Sequence, residues 1–234
     1  MTKIKNYNKM AKKVINEKDA ARQENIEATV SATEKFYNEN KKTIWGIIAA
    51  VLVIGFAVLA YSKFIYQPKC AEAQQAAYPA ELLFQKGDFE GALNGDGNNS
   101  GFYEIISEYG NKAGKAMYLY AGLCELQLGN YQEAIDNINK YKGKDSILSA
   151  RAFACQGDAY VELGEYQNAL SCFEKAIKVA DNAFVAGYLV KEGLVYEALG
   201  NNAKALECYN NVKENYPASI EAYDIDKYIN KVSE

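Results

Sequence analysis

The sequence predicts an all-α fold in which antiparallel helix pairs stack into a solenoid behind one transmembrane helix. Three observations carry this prediction. Segments beginning at Tyr118, Phe153 and Leu189 align with one another, and their Leu-Gly glycines lie 35 and 36 residues apart. Residues 44–61, IWGIIAAVLVIGFAVLAY, form an apolar run of eighteen without a charge. Residues 1–42 contain neither Pro nor Gly, so nothing there prevents a charged helix.

Residues 1–42 carry 10 basic and 6 acidic side chains, net +4, and NIEATVSATEKFY sets Ile26, Val30 and Phe36 at near-helical spacing. They read as a solvated, partly helical basic tail. Residues 43–62 read as a transmembrane helix, since Thr43 and Ser62 bring the run to the roughly 20 residues a span needs. Trp45 and Tyr61 sit at its ends as interfacial aromatics do, flanked by Lys41, Lys42 and Lys63. The run starts too far along the chain, and is too long, for a cleaved signal peptide. Cys70 follows YQPK and not a small-residue lipobox, so the expected form is an uncleaved anchor. Lys35, Lys41 and Lys42 before the span, against Lys63 and Lys69 after it, favour a cytoplasmic N-terminus.

Residues 63–217 read as the solenoid. The three aligned segments share a glycine, a second glycine seven residues later and an alanine five further on: Gly122/Gly129/Ala134, Gly157/Gly164/Ala169 and Gly193/Gly200/Ala205. The first glycine and the alanine are expected where two antiparallel helices cross closely. The second glycine is expected to end the first helix in a left-handed conformation. Tyr118/Phe153/Leu189 and Ile138/Phe173/Tyr209 are expected to fill the space between neighbouring pairs. The pairs fall at about 115–147, 150–182 and 186–217, with Pro217 stopping the third. Upstream, AELLFQKGDFEGAL places Gly87, Phe89 and Ala92 in the same register, a degenerate first copy over 71–112. Gly87 to Gly129 is 42 residues, and the excess falls at 94–101, NGDGNNSG, as an insertion in the second helix. Residues 218–234, with Ile220, Tyr223 and Tyr228, read as the capping helix a solenoid end requires.

These segments resemble tetratricopeptide repeats. Tyr160, Tyr166, Phe173 and Ala176 match that pattern almost fully in the second copy, while Glu125 and Asn202 replace aromatics in the first and third. The resemblance covers about 118–217. With the anchor, the layout resembles a group of bacterial membrane-anchored repeat proteins that includes the ancillary subunit of the Sec translocon. That resemblance implies repeats facing the periplasm and contacts with translocon, chaperone or envelope assembly partners.

Composition excludes much else. With no histidine, the commonest general base and transition-metal ligand is missing. Cys70, Cys124, Cys155, Cys172 and Cys208 are scattered without a CxxC pair, which argues against zinc and a disulfide framework. Small buried side chains at helix contacts are their plain reading. No nucleophile-elbow, P-loop or HExxH motif is present, so the chain reads as a non-enzyme without cofactor. From Asp96 the spacing of Asp96, Asn98 and Ser100 imitates a calcium loop, but its twelfth position is Ser107 and not a bidentate Glu. Residues 62–234 carry 16 basic and 24 acidic side chains, net −8, which argues against nucleic acid.

By the resemblance, a partner groove would use first-helix positions one and five beyond the large aromatic: Leu119, Leu123, Ala154, Asp158, Val190 and Leu194. Leu126, Val161, Glu162 and Glu197 extend it. The Lys/Arg and Asn set that grips chaperone C-termini is missing there. An apolar groove with an acidic edge fits an amphipathic or basic protein segment. The alternative readings are a structural envelope subunit whose groove is covered by its own terminal helix, and a cytosol-facing adaptor, which suits five unpaired cysteines.

Overall fold

The computed structural model describes residues 2–180 and 184–233, with side chains described for Arg22 and from residue 29 onward apart from 32. Ile26 of the tail and the end of the second expected pair at 182 lie outside this range. Every element among the described residues is helical. Residues 1–65 and 66–234 form two separate units.

In the first unit, α1 (Thr2–Tyr61) is one unbroken helix, so the expected junction between tail and span at 42/43 is not a helix boundary. Its apolar window has a mean hydropathy of 2.5, and none of it is buried by the protein. Val53 and Phe56 are 67% and 70% exposed, whereas a core helix would hide such side chains. Near the start of the window the Trp45 Nε1–H donates to the Tyr37 hydroxyl at 3.1 Å. Ser62–Tyr66 is a π-helical turn. Pro68 follows it, and a widened turn relieves the crowding of its ring against the preceding carbonyls.

The second unit begins with α2 (Gln67–Gln85), α3 (Phe89–Asn94) and α4 (Phe102–Tyr109). Three regular pairs follow: α5 (Ala116–Leu128) with α6 (Tyr131–Lys140), α7 (Ser146–Glu162) with α8 (Tyr166–Val179), and α9 (Val185–Ala198) with α10 (Asn202–Asn215). Gly87, Gly129, Gly164 and Gly200 close α2, α5, α7 and α9 with φ between +71° and +83°, a conformation that costs a side chain about 1–2 kcal/mol. Asp88, Asp145 and Asn201 accept backbone N–H hydrogens at the starts of α3, α7 and α10, satisfying donors the helices leave open.

Within each pair the close approach is made at Gly122, Gly157 and Gly193. A Cβ at Gly157 would lie 2.6 Å from the Phe173 ring, and one at Gly122 would lie 2.5 Å from Ile138 Cγ1. At Gly193 the obstacle is the Tyr209 ring. At Gly122 the Ala134 carbonyl is also 3.0 Å from that position, and Ala134, Ala169 and Ala205 are all fully buried. Ile138, Phe173 and Tyr209 thus fill the crossing inside their own pair and also reach the next element, Ile138 packing with Ala152 and Cys155 of α7 and Phe173 with Val195 of α9. A flat ring laid on the partner backbone needs a residue without Cβ beneath it.

Residues 95–101 form a loop that returns on itself. A Cβ at Gly101 would collide with the Leu93 carbonyl oxygen and, at 2.6 Å, the Asn94 carbonyl carbon. Asp96 Oδ1 holds the loop by accepting from the Asn98 and Asn99 amides at 2.9 and 2.8 Å. The Asn99 side chain and then those amides hold its carboxyl below the ordinary value. Beyond the loop, Phe102 and Ile105 are fully buried with Ala77, Ala80 and Ala92.

The chain closes with α11 (Ile225–Ser233), which starts seven residues later than the sequence reading placed it. Ile225 and Val232 are buried in the last core, with Tyr228 and Ile229 packed against it. The spacing is i, i+3, i+4, i+7, one helical stripe. Of the three residues expected in the cap only Tyr228 packs there, 5.3 Å from the Tyr209 ring. Ile220 and Tyr223 are 89% and 95% exposed, because the chain spends them on a turn before the helix begins.

Candidate functional site

The first helices α5, α7 and α9 present two clefts. One, of about 380 Å³, lies between α7 and α9, with Tyr166 and Phe173 of α8 among its lining residues. Four of the expected groove residues line it: Asp158, Val161, Glu162 and Leu194. Lys191, Val195 and Ala198 complete it, and α11 contributes no residue. A smaller cleft of about 250 Å³ joins Leu119 and Leu123 to Phe84, Tyr120, Leu148 and Arg151.

The remaining expected residues are placed otherwise. Ala154 is buried in the α7–α8–α9 core. Leu126 packs against the α5–α6–α7 core and Val190 against the last one. Glu197 turns away to tie the terminal pair together. It accepts from the Tyr209 hydroxyl at 2.5 Å and pairs with Lys231 of α11 at 2.5 Å. Burial opposes its ionisation, but Lys231 and Tyr209 hold its carboxyl below the ordinary value.

The edge of the larger cleft is less acidic than the sequence alone implies. Lys191 Nζ lies 2.7 and 2.6 Å from the two Asp158 carboxylate oxygens, joining α9 to α7. Both side chains are partly exposed, so the pair contributes little stability, of order 0–1 kcal/mol. Its effect is on charge, leaving Glu162 the unpaired carboxylate of the lining. The pairing sets Asp158 opposite a residue three short of its repeat equivalent, Leu194.

Glu125 replaces the repeat's aromatic yet is only 4% exposed. Its carboxylate accepts from the Tyr103 hydroxyl of α4 and, at 2.7 Å, from Asn130 Nδ2. Asn137 Nδ2 donates to the same Tyr103 oxygen at 2.9 Å. Burial and then Glu125 push the Tyr103 phenol up to about 12. The ring absent from α5 is thus supplied by the helix that follows the loop.

The cysteines carry no evident chemistry. Cys124, Cys155, Cys172 and Cys208 are buried and unpaired, and burial pushes their thiols up, to about 12 at Cys124 and Cys208 and about 11 at Cys155. A thiol so raised is a poor nucleophile at neutral pH.

Residues 150–183 and 188–219 match tetratricopeptide-repeat family profiles. No curated protein matches the chain. Two crystal structures of MamA are similar to it. One aligns with a TM-score of 0.52 at 23% identity, covering 70% of this chain and 86% of the other. The second aligns at 0.51 and 26% identity, covering 65% and 91%. The chain carries tetratricopeptide repeats in a helical solenoid, an architecture that supports protein–protein interaction.

Proposed function

We propose that the protein is a membrane-anchored interaction scaffold whose repeats face the periplasm and hold a partner segment beside protein export or envelope assembly. The observation that carries the binding role is the α7–α9 cleft. It joins an apolar surface from Val161, Leu194 and Val195 to the single unpaired carboxylate of Glu162, and the terminal helix contributes no residue to its lining. Its volume lies within the range of specific ligand clefts, about 300–1,000 Å³. An apolar anchor flanked by a cation suits it, as in an amphipathic basic segment. The exposed apolar window of α1, of mean hydropathy 2.5, supports the anchor. The periplasmic and export parts rest on the lysine distribution and on the resemblance of the layout to anchored repeat proteins of the envelope.

Site-specific photocrosslinking tests this reading. Leu194 is 41% exposed in the cleft, and Glu207 on α10 is exposed outside it and serves as control. Adducts from Leu194 that exceed those from Glu207 support a working cleft. Changing client chains indicate a holding role, and one fixed neighbour indicates a structural subunit. Equal, background-level adducts from both positions reject the scaffold reading.

A further inference from the structure

Two features of the solenoid are left unused by the partner cleft, and they are chemically complementary. The first is the α5–α7 pocket. Phe84 and Tyr120 meet edge to face at 5.3 Å and line it with Leu119 and Leu123. At about 250 Å³ it is smaller than most whole-ligand sites, so it suits an inserted side chain. Arg151 lines it too, is exposed, and forms no ion pair among the described residues. It is the only arginine beyond Arg22, and it lies in the one basic stretch of the solenoid. Residues 112–151 carry six basic and four acidic side chains, whereas 62–111 carry three and seven, and 152–234 seven and thirteen.

The second feature is the turn before α11. Ile220 and Tyr223 are 89% and 95% exposed, more than any other large apolar side chain described. Leaving both in water forgoes about 1.5–3 kcal/mol of burial for each. Glu221, Asp224 and Asp226 surround them, giving 219–226 a net charge of −3. Asp224 and Asp226 pair with Lys227 and Lys213 across largely exposed bridges, which leaves Glu221 the carboxylate of the turn without an ion pair among the described residues. An exposed apolar–acidic turn and an apolar pocket with an unpaired guanidinium thus occur on one chain.

We propose that a second copy of this chain occupies the α5–α7 pocket, inserting Tyr223 against Phe84 and Tyr120 while Arg151 faces the carboxylates of the 219–226 turn. Donor and acceptor surfaces differ, so the contact is heterologous and joins copies head to tail. One turn in one pocket is well below a standard interface of about 800 Å² per partner, so association is weak and reversible. The α7–α9 cleft stays free for a client. The inference stands apart from the scaffold reading, because self-association is measured without a client.

Sedimentation velocity of the full chain in detergent micelles, over a concentration series, tests it. The wild type is expected to grow into a ladder of oligomers. Tyr223→Ala and Arg151→Glu are each expected to weaken association at least tenfold, and Arg151→Glu with Asp224→Arg to recover most of the loss. Tyr223 is so exposed that its removal leaves folding intact, which circular dichroism verifies. Mixing the two single variants is the sharpest arm. The Tyr223→Ala copy keeps its pocket and the Arg151→Glu copy keeps its turn, so the mixture forms one contact and stops at a dimer. A monomer at every concentration, association indifferent to both substitutions, or a mixture that stays monomeric overturns the proposal.

Discussion

Tyr103 and Glu125, 22 residues apart, share a buried hydrogen bond that joins the helix after the 95–101 loop to the first helix of the next pair. The phenol donates to the carboxylate, Asn137 donates to the phenol, and Asn130 donates to the other carboxylate oxygen. The departure from the repeat pattern at residue 125 is therefore compensated from outside its own repeat.

Tyr103→Phe is expected to destabilise the solenoid by about 1–3 kcal/mol, since it leaves a buried carboxylate oxygen and the Asn137 amide unpartnered. Glu125→Gln keeps the shape but removes the charged acceptor. The two substitutions together are expected to cost less than their sum, with a coupling of at least about 0.5 kcal/mol. Urea unfolding of the four proteins of the cycle measures it. Strict additivity would show that the bond is energetically idle.

Gly157→Ala is expected to cost about 1–3 kcal/mol, because its methyl meets the Phe173 ring and a packed core absorbs extra volume poorly. Gly157→Ala with Phe173→Leu should recover part of the loss by removing the ring edge. Gly129→Ala tests a different cause, as it meets no neighbour but sits at φ +83°. Its cost, about 1–2 kcal/mol, should not respond to Phe173→Leu. Thermal unfolding of these variants separates overpacking from backbone strain.

The Gly-Gly-Ala spacing disclosed the helix pairs and the left-handed helix ends because those features are local and recur every repeat. It left out the larger residue at each crossing, Ile138, Phe173 or Tyr209, since the alanine and the side chain one turn further on occupy the same helix face. The cleft was half legible. Asp158, Val161, Glu162 and Leu194 were placed in a groove by the resemblance to the repeat family, and Lys191, one turn before Leu194, is outside the positions that resemblance names. Glu197 was lost to the groove through Lys231, 34 residues later, a contact fixed only when α11 docks. Arg151 carried a signal that was there to be read, as a lone arginine in an acidic solenoid.

Deleting residues 95–100 is expected to leave α5 to α10 folded. The loop brings Gly101 back onto Asn94, so the shortened chain closes with little displacement. Shortening a flexible loop changes closure entropy by only a few tenths of a kcal/mol to about 1 kcal/mol. Hydrogen exchange across α7 to α10 should match the parent protein. Loss of protection there would show that the loop organises the solenoid and is not an excursion from it.

Glu192 provides a pH test. It is 9% exposed, and burial, then the nearby Glu174, push its carboxyl up from 4.5 to about 6. The folded state therefore holds the proton more tightly than the unfolded state. Its stabilising contribution is full below pH 4.5 and is lost as pH rises through about 6. Glu192→Gln, neutral throughout, should gain on the wild type by up to about 2 kcal/mol between these limits. Urea titrations at acidic and neutral pH measure the difference, and a constant gap between the two proteins would contradict the assignment.

The orientation of the repeats is open to a single thiol measurement. Cys70 is partly exposed while the other four thiols are buried, so a membrane-impermeant maleimide reports Cys70 almost alone. Burial also pushes those four thiols upward, which slows whatever access local opening allows. With repeats in the periplasm, cells with a permeabilised outer membrane should label at Cys70, and Cys70→Ser should abolish the signal. Buried, protonated thiols survive in either compartment, so the four buried cysteines do not decide the orientation. Labelling of lysed cells confirms that the thiol is reachable. Protection in intact cells with labelling after lysis would reverse the orientation and remove the periplasmic part of the proposed function, leaving the clefts and their partners to be sought in the cytosol.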